Sequence, residues 1–213
     1  MLTCLKRILS GVAAGVLVSI GGCVYLACEN KVVGAVLFSV ALLSICYKGY
    51  SLYTGRVGYL AFSRTKKDFS VLFLGLLGNL IGAVFTALLV HLSGLVKVFS
   101  ANAETLALAK LGQPFYGTLI RAFLCGILMY LAVSIYKEHK TPVGILFCIP
   151  VFILSGFEHS IADMFYLSAG IASDIPGNLG PAALFTLAAV LGNSLGALFI
   201  ACIEKAGKEK AAS

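Results

Sequence analysis

Long apolar runs separated by short polar segments dominate the chain. Most runs are close to the ~20 residues that a helix needs to cross a bilayer. Six spans are predicted, at residues 8–28, 32–47, 71–92, 115–136, 143–172 and 182–203. The second run is short and is followed by a polar stretch, and the fifth is long and interrupted. We therefore expect all-α transmembrane architecture in which spans two and five are broken.

The two breaks have recognisable sequences. Span two gives way to KGYSLYTG at 48–55, which contains Gly49 and Gly55. Span five is interrupted by SGFEHSIADMF at 155–165, which follows an almost wholly apolar stretch. Backbone groups freed by a break inside a membrane must be buried in protein or line a cavity. Both breaks are therefore candidates for a path through the membrane.

Composition and charge support a membrane protein and fix its expected orientation. Of 213 residues, 60% are hydrophobic and 12% are charged, about half the charge of soluble domains. Lys and Arg cluster at one side of the predicted spans: Lys6, Arg7, Arg64, Lys66, Lys67, Lys137, Lys140, Lys205 and Lys208. The positive-inside rule then places both termini in the cytoplasm, in a cytoplasmic (inner) membrane. The net charge of +7 follows from this bias, so we expect no nucleic-acid partner.

An internal repeat relates the two halves of the chain. Residues 77–85 read LGNLIGAVF and residues 191–199 read LGNSLGALF, an offset of 114 that also pairs Phe38 with Phe152. Three spans in each half predict a 3+3 inverted repeat, with a first repeat of about 1–105 and a second of about 110–213 within one channel domain, 1–213. Inverted repeats with paired broken helices are typical of transporters and channels.

These motifs resemble the signatures of the formate/nitrite transporter family. SGFEHSIADMF, LGNLIGAVF, LGNSLGALF, the segment 31–55 and the KLGQPF turn at 110–115 carry the resemblance. The resemblance implies an aquaporin-like protomer of six helices, assembled as a homopentamer with one pore per protomer. It implies passage of small monovalent anions such as formate, nitrite or hydrosulfide, with no cofactor and no metal.

The resemblance also implies roles for particular residues. His159 lies in the middle of the pore, Asn193 is its polar partner, Thr54 faces the pore, and Lys110 attracts anions at the outer side. Apolar constrictions are formed by Phe38 and Leu42, by Leu52 and Tyr53 on the inner side, and by Phe152 on the outer side. Glu158 is structural. Asp163 departs from the family, in which this position is commonly Asn.

Physical reasoning sharpens some of these roles. A lone histidine inside a membrane is a functional candidate by default. Successive helical residues point about 100° apart, so Glu158 is expected to face packing if His159 faces the pore. Asp163 either orients His159 and raises its basicity or caps the second half-helix. For Asn79 and Asn193, either one lines the pore and the other ties the broken helix, or both join helices.

The sequence thus predicts a channel or transporter for weak-acid anions. We expect Lys110 to draw the anion in and His159 and Asn193 to hydrogen-bond it. A proton, coupled through His159, then joins the anion so that it crosses the apolar rings as the neutral acid. The alternatives are a hydrosulfide, acetate or lactate channel of the same family, or an aquaporin-like channel for neutral solutes. An enzyme is not expected, because the polar residues form no nucleophilic Ser/His/Asp set.

Overall fold

The computed structural model describes residues 2–171 and 175–212. These residues are mostly helical, with short connections between the helices, and they contain no strand. In them the α-helices are α1 Leu2–Ala27, α2 Lys31–Lys48, α3 Lys66–Leu92, α4 Val96–Leu111, α5 Phe115–His139, α6 Val143–Leu154, α7 Ser160–Gly170 and α8 Ile175–Ala212. A short 3₁₀ helix, Val57–Ala61, lies between α2 and α3. Helices α1, α2, α3, α5 and α8 are long and apolar enough to cross a membrane.

The predicted spans agree with these helices in order but differ in two places. The fifth predicted span is two short helices, α6 of 12 residues and α7 of 11. At ~1.5 Å per residue each reaches only about half of a ~30 Å hydrocarbon core. Helix α4 was not predicted, because its apolar residues are mixed with Asn102, Glu104 and Lys110 and form no continuous run.

Helices α2 and α6 end in the same way. Gly49 and Gly156 follow them with φ of 70° and 67°, the left-handed conformation that favours glycine. The next amides then bond back, from Tyr50 N–H to the Ile45 carbonyl at 3.1 Å and from Phe157 N–H to the Phe152 carbonyl at 3.0 Å. These equivalent bonds are 107 residues apart. The offset of 114 that pairs Phe38 with Phe152 therefore does not relate the two breaks.

Close glycine contacts join α1 to α3 and α5 to α8. A Cβ on Gly15 would overlap the backbone of Asn79, and a Cβ on Gly126 would overlap the backbone of Asn193. Glycine allows two membrane helices to approach until their backbones touch. These two helix pairs therefore hold the buried asparagines close to the breaks in α2–α3 and α6–α7.

Helix α4 packs across α7. Gly170 at the end of α7 lies against the backbone of Ala103, which leaves no room for a side chain. Lys110, at the other end of α4, reaches the start of α7 through Asp163. This docking brings the α4–α5 connection over the break between α6 and α7.

Candidate functional site at the two helix breaks

His159 lies in the gap between α6 and α7 and caps the second helix. Its Nδ1 accepts a hydrogen bond from Ala162 N–H at 3.1 Å. The opposite nitrogen, Nε2, lies 2.8 Å from Thr54 Oγ1 in the loop after α2. With Nδ1 used as an acceptor, the neutral ring carries its hydrogen on Nε2 and donates it to Thr54. The side chains predicted to face the path, His159 and Thr54, are thus brought together and both are buried.

Aromatic rings cover the imidazole on one side. The Phe152 ring stacks on His159 with centroids 5.5 Å apart and an angle of 27° between the planes. Phe38 meets Phe152 edge-on at 6.4 Å. The structure therefore places the two phenylalanines in one cluster, although the sequence assigned them to separate constrictions.

Asn79 and Asn193 make equivalent sets of three hydrogen bonds. Asn79 accepts from Tyr53 N–H at 3.0 Å and donates to the carbonyls of Gly11 at 2.8 Å and Ser51 at 2.9 Å. Each bond joins the amide to a helix or to the loop after α2. In this way Asn79 supplies the partners that the broken backbone needs.

Asn193 does the same for the other break. It accepts from Ser160 N–H at 2.9 Å and donates to the carbonyls of Ala122 and Glu158, both at 2.8 Å. A side-chain amide has two N–H donors, and both are used here. In this conformation no N–H of Asn193 is left for a passing anion, so that hydrogen bond stays a prediction. Both asparagines join helices, which was one of the two alternatives left open.

Apolar side chains of α2 and its loop line a small cavity on the side of the breaks away from Lys110. This cavity, called the Arg56 cavity, has a volume of about 70 Å³ and is lined by Leu42, Ile45, Cys46, Gly49, Tyr50, Leu52, Gly55, Arg56, Val133, Tyr136 and Lys137. Leu42 and Leu52, assigned to different constrictions by the family resemblance, lie on it together, whereas Phe38 lines the cavity on the other side. Tyr53 is not among these lining residues; its hydroxyl lies 2.8 Å from Ser194 Oγ on α8.

A larger cavity of about 230 Å³ lies on the other side of the breaks. This Lys110 cavity is lined by Tyr25, Phe38, Leu106, Ala109, Lys110, Gln113, Arg121, Phe152, Ile153, Gly156, Phe157, Glu158, His159, Ala162, Asp163 and Tyr166. It contains the phenylalanine cluster, His159 and most of the buried charges of the site. The helix break therefore separates two cavities, with His159 and Thr54 between them.

Lys110 is neutralised by two carboxylates. Its ammonium donates to the Glu158 carboxylate and lies 2.8 Å from Asp163 Oδ1. Gln113 Nε2 donates to Glu158 Oε1 at 2.7 Å. Glu158 thus has the donors that a buried carboxylate needs. It lies in the non-helical gap before α7 and lines the same cavity as His159, so the helical argument that turned it away from the path does not apply. The charge of Lys110 is buried and paired in this structure, so its role in attracting anions stays a prediction.

Asp163 has neither of its two predicted roles. Its Oδ1 pairs with Lys110, and the cap of α7 is supplied by His159 itself. Asp163 Oδ2 is buried without a hydrogen-bond partner among the described residues. Asp163 is the fourth residue of α7, so its side chain lies past the first backbone N–H groups of the helix. It points toward Lys110 of α4 instead.

Arg121 on α5 was not assigned a role from the sequence, yet it lines the Lys110 cavity with an exposed side chain. In the part of the chain that the structure describes, its guanidinium makes no hydrogen bond or ion pair. It therefore brings an unpaired positive charge to the cavity that Lys110 was expected to serve.

The comparison with protein families matches residues 1–205 to the formate/nitrite transporter model. The chain belongs to the formate/nitrite transporter family. The nitrite transporter NirC of Escherichia coli (strain K12) is 33% identical over 138 residues, 60% of this chain and 52% of NirC. The chain spans about half the length of the curated relatives that it matches.

Solved structures agree with the family in fold. A structure described as an FNT family ion channel has a TM-score of 0.83 at 26% identity, covering 94% of this chain and 89% of the other. A structure described as a pentameric formate channel with formate bound has a TM-score of 0.74 at 21% identity, covering 93% and 94%. At that identity the second likeness shows the fold alone.

Proposed function

We propose that this member of the formate/nitrite transporter family passes small weak-acid monoanions, formate or nitrite first, between the Lys110 cavity and the Arg56 cavity. The observation that supports this best is the buried His159–Thr54 pair, which lies between the two cavities at a break in the helices. The similarity to the nitrite transporter NirC and to the formate channel FocA of Escherichia coli (strain K12), 28% identical over 193 residues, supports the same anions. We propose the anion as substrate, with proton coupling through this region.

The proposed path begins at Arg121, the unpaired cation of the Lys110 cavity. The anion then reaches the rings of Phe38 and Phe152, where an apolar constriction opposes a bare charge. Next to them, the Nε2–H of His159 and the hydroxyl of Thr54 are donors that an anionic oxygen can accept from. A proton joins the anion in the Lys110 cavity and converts it to the neutral acid for the apolar passage. On the other side, the positive charges of Arg56 and Lys137, which line the Arg56 cavity, attract the anion.

The architecture that we propose is the 3+3 inverted repeat. Equivalent endings of α2 and α6, and the equivalent hydrogen bonds of Asn79 and Asn193, support it. The aquaporin-like protomer would form a homopentamer in the lipid bilayer of the cytoplasmic membrane. Both termini would be cytoplasmic, with the Lys110 cavity outside. Transport involves no covalent chemistry, so the protein is not proposed to be an enzyme.

Uptake of formate and nitrite into proteoliposomes tests this function. His159→Asn is the informative variant, because Asn is a good helix N-cap but cannot exchange a proton. We expect the wild type to exceed protein-free liposomes for both anions. His159→Asn should lower uptake about tenfold, because its shorter side chain holds its N–H donors back from the anion and one charge-assisted hydrogen bond of ~1.4 kcal/mol is lost. His139→Asn, at the exposed end of α5, is the matched control.

The outcomes separate the alternatives. Uptake and proton coupling that are unchanged in His159→Asn remove His159 from the mechanism. Swelling with water or glycerol but no uptake of either anion would favour a neutral-solute channel.

A further inference from the structure

The Lys110 cavity contains a buried group of charges that does not balance. One ammonium, on Lys110, faces two carboxylates, on Glu158 and Asp163. The three residues are 7%, 3% and 1% exposed, so water compensates little of their charge. With both carboxylates ionised the group carries a net charge of −1. An uncompensated buried charge is costly, and ionisable groups respond by taking or losing a proton.

The surrounding elements do not supply the missing positive charge. The titratable or charged groups that face the cluster are Tyr25 of α1, Cys125 and Arg121 of α5, His159, and Tyr166 of α7. The neutral tautomer of His159 contributes none, and Tyr25, Cys125 and Tyr166 carry no positive charge in any state. Arg121 is exposed and pairs with neither carboxylate within the described part of the chain. Helix α8 contributes only the ring of Phe185, 5.7 Å from the Lys110 ammonium.

One atom of the cluster is arranged to carry a proton. Asp163 Oδ2 is buried and accepts no hydrogen bond from the described residues, whereas the other three carboxylate oxygens have Lys110 or Gln113 as donors. An ionised carboxylate oxygen without a donor is the costly arrangement, whereas a protonated Asp163 carboxyl group is itself a donor and can hydrogen-bond to Glu158. A proton bound by the two carboxylates also brings the whole cluster to zero charge.

We infer that Glu158 and Asp163 share one exchangeable proton, and that this cluster is the proton donor for the anion in the Lys110 cavity. The step breaks the carboxyl O–H bond, transfers the proton to an oxygen of the anion, and leaves a carboxylate and the neutral acid. Water in the cavity then returns a proton to the cluster. This inference rests on the proposed function. It assigns to Asp163, and not to His159, the exchange of the proton.

Infrared spectroscopy tests the proton without any transport. At pH 7 ordinary Asp and Glu side chains, with pKa values of ~3.9 and ~4.3, are ionised. We expect purified protein in bilayers to show the C=O band of one protonated carboxyl group per chain, shifted in D₂O. Asp163→Asn and Glu158→Gln should each abolish it, because one carboxylate then balances Lys110. Glu104→Gln, an exposed carboxylate on α4, should retain it. Absence of the band in the wild type, or its persistence in Asp163→Asn, overturns the inference.

Formate uptake into proteoliposomes tests the functional part. Above the pH at which the cluster loses its proton, we expect wild-type uptake to fall about tenfold per pH unit relative to uptake by Asp163→Asn, because the protonated fraction of a single group falls by about that factor. Comparing variants at each pH removes the change in formic acid concentration. Glu104→Gln should follow the wild type.

Different results would contradict the proposed transport function and the proposed role of the Glu158–Asp163 cluster. Wild-type proteoliposomes with no uptake above protein-free liposomes contradict the proposed function. Normal uptake with the same pH dependence in Asp163→Asn as in the wild type contradicts the role of the cluster.

Discussion

Asn193→Asp tests how strongly one amide holds the break between α6 and α7. The substitution keeps the size of the side chain and the oxygen that accepts from Ser160 N–H. It replaces Nδ2, which donates to the carbonyls of Ala122 and Glu158 at 2.8 Å, with a second oxygen. Two buried carbonyls then lose their donor and face an acceptor.

The expected cost follows from these bonds. A buried acceptor left unpaired costs ~1–3 kcal/mol, while hydrogen bonds between membrane helices average ~0.6 kcal/mol in mutant cycles. For two carbonyls we therefore expect about 3 kcal/mol. At ~3 °C per kcal/mol for a chain of this size, the unfolding midpoint should fall by about 10 °C.

A thiol-reactive fluorogenic dye measures the midpoint. The chain has no Trp but seven Cys, and Cys125 is fully buried on α5, so its exposure reports unfolding. Asn102→Asp is the comparator, because Asn102 donates one partly buried bond of 3.1 Å to the Leu26 carbonyl and should cost only about 1 kcal/mol. A midpoint for Asn193→Asp that is no lower than that of Asn102→Asp would refute the structural role assigned to this amide.

Two further substitutions test packing and the site. Gly126→Ala should destabilise the protein by about 2 kcal/mol, because the new Cβ overlaps the backbone of Asn193. Gly207→Ala is the control, since Gly207 lies in open space and the substitution should stabilise the helix slightly. Equal unfolding midpoints of the two variants in the dye assay would contradict this. Thr54→Val removes the partner of the His159 Nε2–H without changing size and should reduce formate uptake about fivefold, a loss of ~1 kcal/mol. Thr54→Ser should restore uptake, and full activity of Thr54→Val would show that the hydroxyl is dispensable.

Several features could be predicted because they depend on local sequence. Glycine and then a histidine three residues later, at the end of an apolar run, locate the break between α6 and α7. Gly49 and Gly156 do lie at the ends of the two helices. The buried asparagines could be recognised from the repeated LGN motif. Helix order and the family follow from the same apolar runs and motifs.

The partners of the charged residues could not be predicted in this way. Lys110 and Asp163 are 53 residues apart and meet only because α4 docks on α7, and α4 has no apolar pattern that marks it. From the sequence alone, Lys110 resembles an exposed cation at the level of the lipid headgroups. Arg121 resembles a charge inside a membrane span that has no partner. The direction of each side chain depends on tertiary packing, which a helical period alone does not give.

The docking of α4 on α7 determines where the chain can be divided into two fragments that still assemble. Gly94, with φ of 75° and open space around it, separates α3 from α4. Two co-expressed fragments that meet there would keep Lys110 and both of its carboxylates in the second fragment. Fragments that meet at Gly112 would place Lys110 in one piece and its carboxylates in the other, so that each carries unpaired charge until assembly. Reassembly into a working protein should therefore succeed from the first pair of fragments and fail from the second.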